Sequence, residues 1–199
     1  SRGARIAIID NAPAAAGRED FVQGGVNLAD GAAAAKAIEA VKAKFGAVHG
    51  LANIAGTFRW ETLADGDLAT WDLLFRINVL TAAAASRAAL PHLAESKGAI
   101  VNIGANGAVK AAAGMGAYAA SKQGVMKLTE ALAEEMKGKV RVNAVLPSII
   151  DTAANRKDMP KADFSTWVSP DELAETILFL LSDRASAITG ALIPVLGRV

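Results

Sequence analysis

Tyr118 and Lys122 stand four residues apart in the stretch AYAASKQGV, among good helix formers. Residues i and i+4 share one face of a helix, so this spacing brings a phenol and an ammonium close together. The positive charge is expected to stabilise phenolate and lower the Tyr118 pKa from about 10. That would make Tyr118 a general acid or base near neutral pH. The same spacing arises by chance in many helices, so the pair alone carries little weight. Upstream, where another polar group would assist, the sequence reads Gly104, Ala105, Asn106.

Other polar and small residues fall at places that suit a ligand. Asp10 closes the apolar run ARIAII (4–9), where a carboxylate can accept both ribose hydroxyls of an adenine dinucleotide and repel a 2′-phosphate. Asn53, Ile54, Ala55 and Gly56 follow a later apolar run, and their small side chains let a ligand approach the backbone. Asn78 interrupts a long apolar helix, an uncommon place for an amide without a partner. Pro147 to Thr152 follow VRVNAVL (140–146).

The elements that must position these residues alternate. Strands are expected at 4–9, 21–28, 48–53, 98–104, 140–146 and 191–196. Helices are expected at 30–46, from about 67 to 93, at 115–137, and from Ser169 as N-cap with Pro170 in the first turn. Strand and helix in this order imply βαβ units and a doubly wound parallel sheet, an α/β fold with helices on both faces. The polar positions above then gather at the carboxyl ends of the strands, where such sheets bind ligands. No linker or repeat divides residues 1–199, so a single domain is expected.

Composition removes several alternatives. The 199 residues are 52% hydrophobic and 21% charged, with net charge +1 and dispersed Lys and Arg, which offers no footprint for nucleic acid. There is no Cys, so thiolate chemistry is excluded, and two separated histidines, His49 and His92, read as structural rather than as metal ligands. No metal is expected. No apolar run approaches the roughly 20 residues of a membrane helix, and no secretory signal is evident. A cytoplasmic location is the default expectation.

Together these residues resemble the short-chain dehydrogenase/reductase family, and the resemblance spans essentially the whole chain. YAASK matches the family's Tyr-x-x-x-Lys, and NIAG resembles its Asn-Asn-Ala-Gly with one change. WDLLFRINVL resembles the helix that carries its Asn. RVNAVLPSIIDT resembles its Arg-Val-Asn-x-(Val/Ile)-x-Pro-Gly-x-x-x-Thr with Ser for Gly, and AITGALIPVLG its last loop and strand.

The resemblance implies a Rossmann-type fold and hydride transfer between NAD(H) and a secondary alcohol or carbonyl of a small molecule. Tyr118 would exchange the proton with the substrate oxygen. Lys122 would hold the nicotinamide ribose, and Asn78 would anchor a water linking Lys122 to solvent. Ile150 (through its backbone) and Thr152 would grip the carboxamide, while Asn53, Ala55 and Gly56 line the cofactor and Pro147 also belongs to its binding site. Asn27, with Leu28, sits where the family commonly has an adenine-contacting Asp. Related proteins pair the helices TAAAASRAALPHL and AYAASKQGVMKLTEALAEEM, so a homotetramer or homodimer is expected.

Two departures stand out. The family's substrate-orienting Ser lies thirteen residues before the Tyr, and here that position is Ala105. A methyl group cannot donate to a developing alkoxide, and loss of such a donor costs on the order of 10²–10³ in rate. Asn106 takes over if the backbone turns after Gly104; otherwise the substrate brings its own hydrogen bond, or the protein is slow or a non-catalytic binding or structural member of the fold. The second departure is the start: the family's first strand and glycine-rich loop, which cradle a pyrophosphate, have no counterpart in SRGARIAIID. That strand would lie centrally between ARIAII and VHGLAN. The molecule is therefore expected to carry upstream residues, and the 199 residues alone to bind cofactor poorly.

Arg59 and Arg156 read as solvated surface cations. Trp60, Phe164 and Trp167 either line a substrate pocket or pack in the core.

Overall fold

In the computed structural model, which describes residues 3–14 and 20–198, the apolar runs become short parallel strands. β1 (Ala7–Ile9) pairs with β2 (Phe21–Gln23), and β3 (Gly50–Asn53), β4 (Ala99–Ile103), β5 (Arg141–Pro147) and β6 (Leu192–Val195) follow in that order in a four-stranded sheet. All their pairings are parallel. The two sheets are separate, and the division falls between β1 and β3, where the resemblance places a further strand.

Two strands are shorter than expected, for local reasons. β2 stops at Gln23 because Gly24 and Gly25 follow, and Gly25 takes φ +71°, outside strand geometry. At Gly24 the loop 12–14 passes directly over the backbone: an added Cβ would lie 2.1 Å from the Ala14 nitrogen. In β1 only Ala7–Ile9 pair, and the Ile6 amide turns instead to the Asp20 carboxylate at 2.9 Å.

Alternation along the central strands sorts side chains to two faces. Ile100 and Val142 join Ile38 and Val41 of α1 (Gly31–Phe45) and Leu93 in one buried cluster. Their neighbours Val101 and Val145 point the other way, into a cluster with Leu173 and Leu180. Those last two lie on α6 (Pro170–Leu181), a helix started by the expected Ser169 capping box with Glu172. The result is a Rossmann-type layered fold, with helices covering both faces of a parallel sheet.

The long apolar helix is three pieces, not one. α2 (Leu68–Leu74) passes through a π-helical turn (Phe75–Leu80) into α3 (Thr81–Ser96), so the axis is continuous but its phase shifts at Asn78. The Thr81 hydroxyl donates to the Ile77 carbonyl within that turn. Pro91 sits inside α3 without ending it. Taken together, Leu68–Ser96 is long and apolar enough to cross a membrane, which corrects the expectation that no stretch is. The helix packs against α1, β3 and the site helix α4 (Gly116–Glu135), and that packing calls for the same apolar composition. Leu68, Trp71, Leu73 and Phe75 of its first half remain exposed.

Candidate active site

The π-helical turn aims the Asn78 side chain inward, where it is 1% exposed. Its Oδ1 accepts the Thr57 amide at 2.7 Å, and its Nδ2 donates to the Thr57 carbonyl at 3.0 Å and to Ser121 Oγ at 2.9 Å. Ser121 in turn donates to the Tyr118 carbonyl at 2.7 Å. The amide thus clasps the loop after β3 to the second turn of the site helix, which spans Gly116–Glu135. Asn78 is not idle in an apolar helix; every hydrogen of its amide group is committed.

Lys122 lies one residue beyond Ser121 and is 6% exposed. Its Nζ donates to the Ile103 carbonyl at 2.8 Å, at the end of β4. Burial pushes its pKa down from 10.5 to about 8. For Tyr118 the expected direction is reversed: burial pushes the phenol up from its ordinary value. The physical reason is that the Lys122 ammonium is turned to Ile103 and does not offset the loss of water around the ring. Tyr118 is therefore a protonated donor at neutral pH.

Ala105 occupies the position expected for a hydroxyl and is 5% exposed, packed with Ala108, Met126 and Leu146 in the cluster that Tyr118 joins. β4 ends at Ile103, Ala105 is extended, and a 3₁₀ turn begins at Asn106. The backbone does turn after Gly104, the condition under which Asn106 leaves the strand's alternation. Asn106 is half-buried.

Beneath the site runs a buried polar chain. Asn53 Nδ2 donates to Asn102 Oδ1 at 2.8 Å and to Ser86 Oγ at 3.0 Å, and Asn102 Nδ2 donates to Thr129 Oγ1 at 2.8 Å. This chain ties β3 to β4 and β4 to α4, so it holds the helix that carries Tyr118 in register with the sheet. The signal in the sequence is an amide inside the apolar run AIVNI and a hydroxyl midway along an apolar helix. Gly56 completes the approach: a Cβ there would lie 2.9 Å from Asn78 Oδ1 and 3.2 Å from Lys122 Nζ.

The remaining expected positions lie at strand ends. Asp10 is exposed after β1, and its Oδ1 accepts the Ala12 amide at 2.8 Å. Asn27 is exposed and accepts from the Ala29 amide at 3.1 Å, next to half-buried Leu28. Pro147 is buried at the end of β5. The Ile150 carbonyl already accepts from the Thr152 amide at 2.9 Å and from Asn155 Nδ2 at 2.8 Å. Thr152 caps α5 (Ala153–Asp158) through the Asn155 amide. Arg156 is held by Asp151 at two points and lies over the Phe164 ring. Trp167 is buried and belongs to the core, whereas Trp60 is exposed.

A family model described as enoyl-(acyl carrier protein) reductase matches residues 2–197. The chain belongs to the short-chain dehydrogenase/reductase family. Among curated members of this family, the chain is 33% identical over 183 residues to 2-(S)-hydroxypropyl-CoM dehydrogenase 3 of Xanthobacter autotrophicus, covering 84% of this chain and 72% of that protein. It is 30% identical over 217 residues to a protein of the same organism named inactive 2-(S)-hydroxypropyl-CoM dehydrogenase 2, covering 98% and 94%. The ligand-free aldohexose dehydrogenase of Thermoplasma acidophilum shares the fold, with a TM-score of 0.89, 24% identity, and coverage of 98% of this chain and 84% of that one. A short-chain dehydrogenase/reductase from Mycobacterium ulcerans gives 0.83 at 26% identity, over 89% and 69%. Short-chain dehydrogenases/reductases are oxidoreductases that generally use nicotinamide cofactors, and the expected fold and family are both borne out.

Proposed function

We propose that the chain is an NAD(H)-dependent dehydrogenase or carbonyl reductase in which Tyr118 is the general acid–base group. The observation that carries this reading is the assembly of buried Asn78, Ser121 and Lys122 beside half-buried Tyr118. It costs desolvation of an ammonium, a cost that core packing alone does not require.

The residues fit the nicotinamide and adenosine ends of a dinucleotide. Gly56 leaves bare backbone beside Lys122 and Asn78, and Lys122 has given one hydrogen bond to Ile103, which leaves donors for ribose hydroxyls. Asn53, Ala55 and Gly56 would line that half, and Pro147, the Ile150 amide and Thr152 would face the carboxamide. Asp10 and Asn27 would meet the adenosine end; Asp10 favours NAD because its charge repels a 2′-phosphate. When bound, the nicotinamide supplies or accepts the hydride. Tyr118 donates its phenol proton to a carbonyl oxygen during reduction and takes it from the alcohol during oxidation. Lys122, charged below about pH 8, would hold the nicotinamide ribose, and Asn78 holds the loop and helix so that the phenol stays aimed.

A second reading is supported by one observation: the buried Ala105 methyl sits where an oxyanion donor is expected. On that reading the fold binds ligand without turnover. Reduction of a simple ketone with NADH or NADPH deuterated at the nicotinamide C4 separates the two. Deuterium on the carbinol carbon of the product, faster with NADH, is the expected result; no label with either cofactor would favour the second reading. We also propose a homotetramer or homodimer paired through the helices at 81–93 and 117–136, which a purely monomeric mass in solution would contradict.

A further inference from the structure

The loop 57–61 is fastened at both ends. Thr57 is held by Asn78 through both its backbone groups. At the far end the Glu61 amide donates to the Gly114 carbonyl at 2.8 Å, and the Trp60 indole donates to the Ala113 carbonyl at 3.0 Å. Gly114 has φ +74°, and a Cβ there would lie 2.2 Å from Trp60 Cε2, so the indole rests on bare backbone. Between these anchors stands Phe58. Its ring meets that of Tyr118 edge to face, with centroids 4.8 Å apart and planes at 80°, yet 49% of it is exposed.

A half-exposed aromatic ring held rigidly against the acid–base tyrosine is a preformed apolar wall, and contact with it requires little further ordering. We propose that Phe58 sets the substrate class: a ketone or secondary alcohol bearing a flat apolar group, such as an aryl ring, on the reacting carbon. A polyol or hydroxyketone would instead strip water from a hydroxyl against Phe58 without replacing the hydrogen bond, which is unfavourable. The inference rests on Tyr118 being the group that meets the substrate oxygen.

The test is saturation-transfer NMR on the full chain with NADH present, with acetophenone and dihydroxyacetone as competing probes. Acetophenone is expected to bind more tightly by roughly tenfold, the value of burying a ring-sized apolar surface. Phe58→Ala should erase that preference, and Phe58→Leu, which keeps apolar bulk, should retain part of it. Equal or tighter binding of dihydroxyacetone, no binding of either ketone, or a preference unchanged in Phe58→Ala would overturn the proposal. Acetophenone binding through Phe58 with no turnover would count against the dehydrogenase reading alone. Turnover of polyols with no Phe58 dependence would leave that reading standing and remove this one.

Discussion

Asn78 donates to Ser121 across 2.9 Å, joining the π-helical turn to the second turn of the helix that carries Tyr118 and Lys122. Both side chains are buried, so neither can exchange its partner for water. Asn78→Ala leaves the Thr57 amide and carbonyl without their partner and Ser121 Oγ without the hydrogen bond it accepts, although Ser121 still donates to the Tyr118 carbonyl. The expected cost is about 2–4 kcal/mol in urea unfolding, in the range of a broken buried network. Ser121→Ala should cost about 1 kcal/mol and lower kcat more than it changes KM, because it frees the Tyr118 turn. An Asn78→Ala variant as stable as the parent would show that the clasp is not made in solution.

Ala105 is the next position to test. Ala105→Ser restores a hydroxyl where the developing alkoxide needs a donor, and kcat for ketone reduction should rise by roughly 10². The site is buried among Ala108, Met126 and Leu146, so a small loss of stability from overpacking is expected alongside. An unchanged kcat would mean that a donor is already supplied, and Asn106→Ala would then lower it.

Lys122 links the site to stability through pH. Its folded pKa is pushed down to about 8 by burial, against 10.5 ordinarily. Between those values the unfolded chain binds more protons than the folded one, so stability rises with pH across that window. Below about pH 8 both states are charged and the full desolvation penalty applies. Wild type should therefore gain on Lys122→Met between about pH 8 and 10.5 by up to about 3 kcal/mol, read from urea midpoints. Ketone reduction should fall over the same range as the ammonium is lost. A constant difference between the two proteins would contradict the buried charge.

Much of this was legible in the residues because the carriers of chemistry are local. Tyr118 and Lys122 are marked by their spacing only together with the motifs around them, Ser169–Glu172 by a capping pattern, and Asp10 follows an apolar run. What was not legible depends on distance or phase. The partners Asn53, Asn102 and Thr129 are separated by 49 and 27 residues, and spacing gives no clue that they meet. An extra residue in one helical turn leaves the apolar pattern of 67–93 nearly unchanged, so the π-helical turn at Asn78 was read as helix. The direction of the Tyr118 shift was misread for a similar reason. Position i+4 places Lys122 on the same face, but where the flexible Lys stem ends is decided by the Ile103 carbonyl.

The central claim is that Tyr118 moves the substrate proton, and Tyr118→Phe tests it most directly because only the hydroxyl is removed. With a ketone that the wild type reduces, the variant should lose roughly 10²–10⁴ in kcat, with unchanged NADH binding by fluorescence titration. Turnover by Tyr118→Phe at the wild-type rate would remove Tyr118 from the mechanism and with it the account given for Lys122 and Asn78.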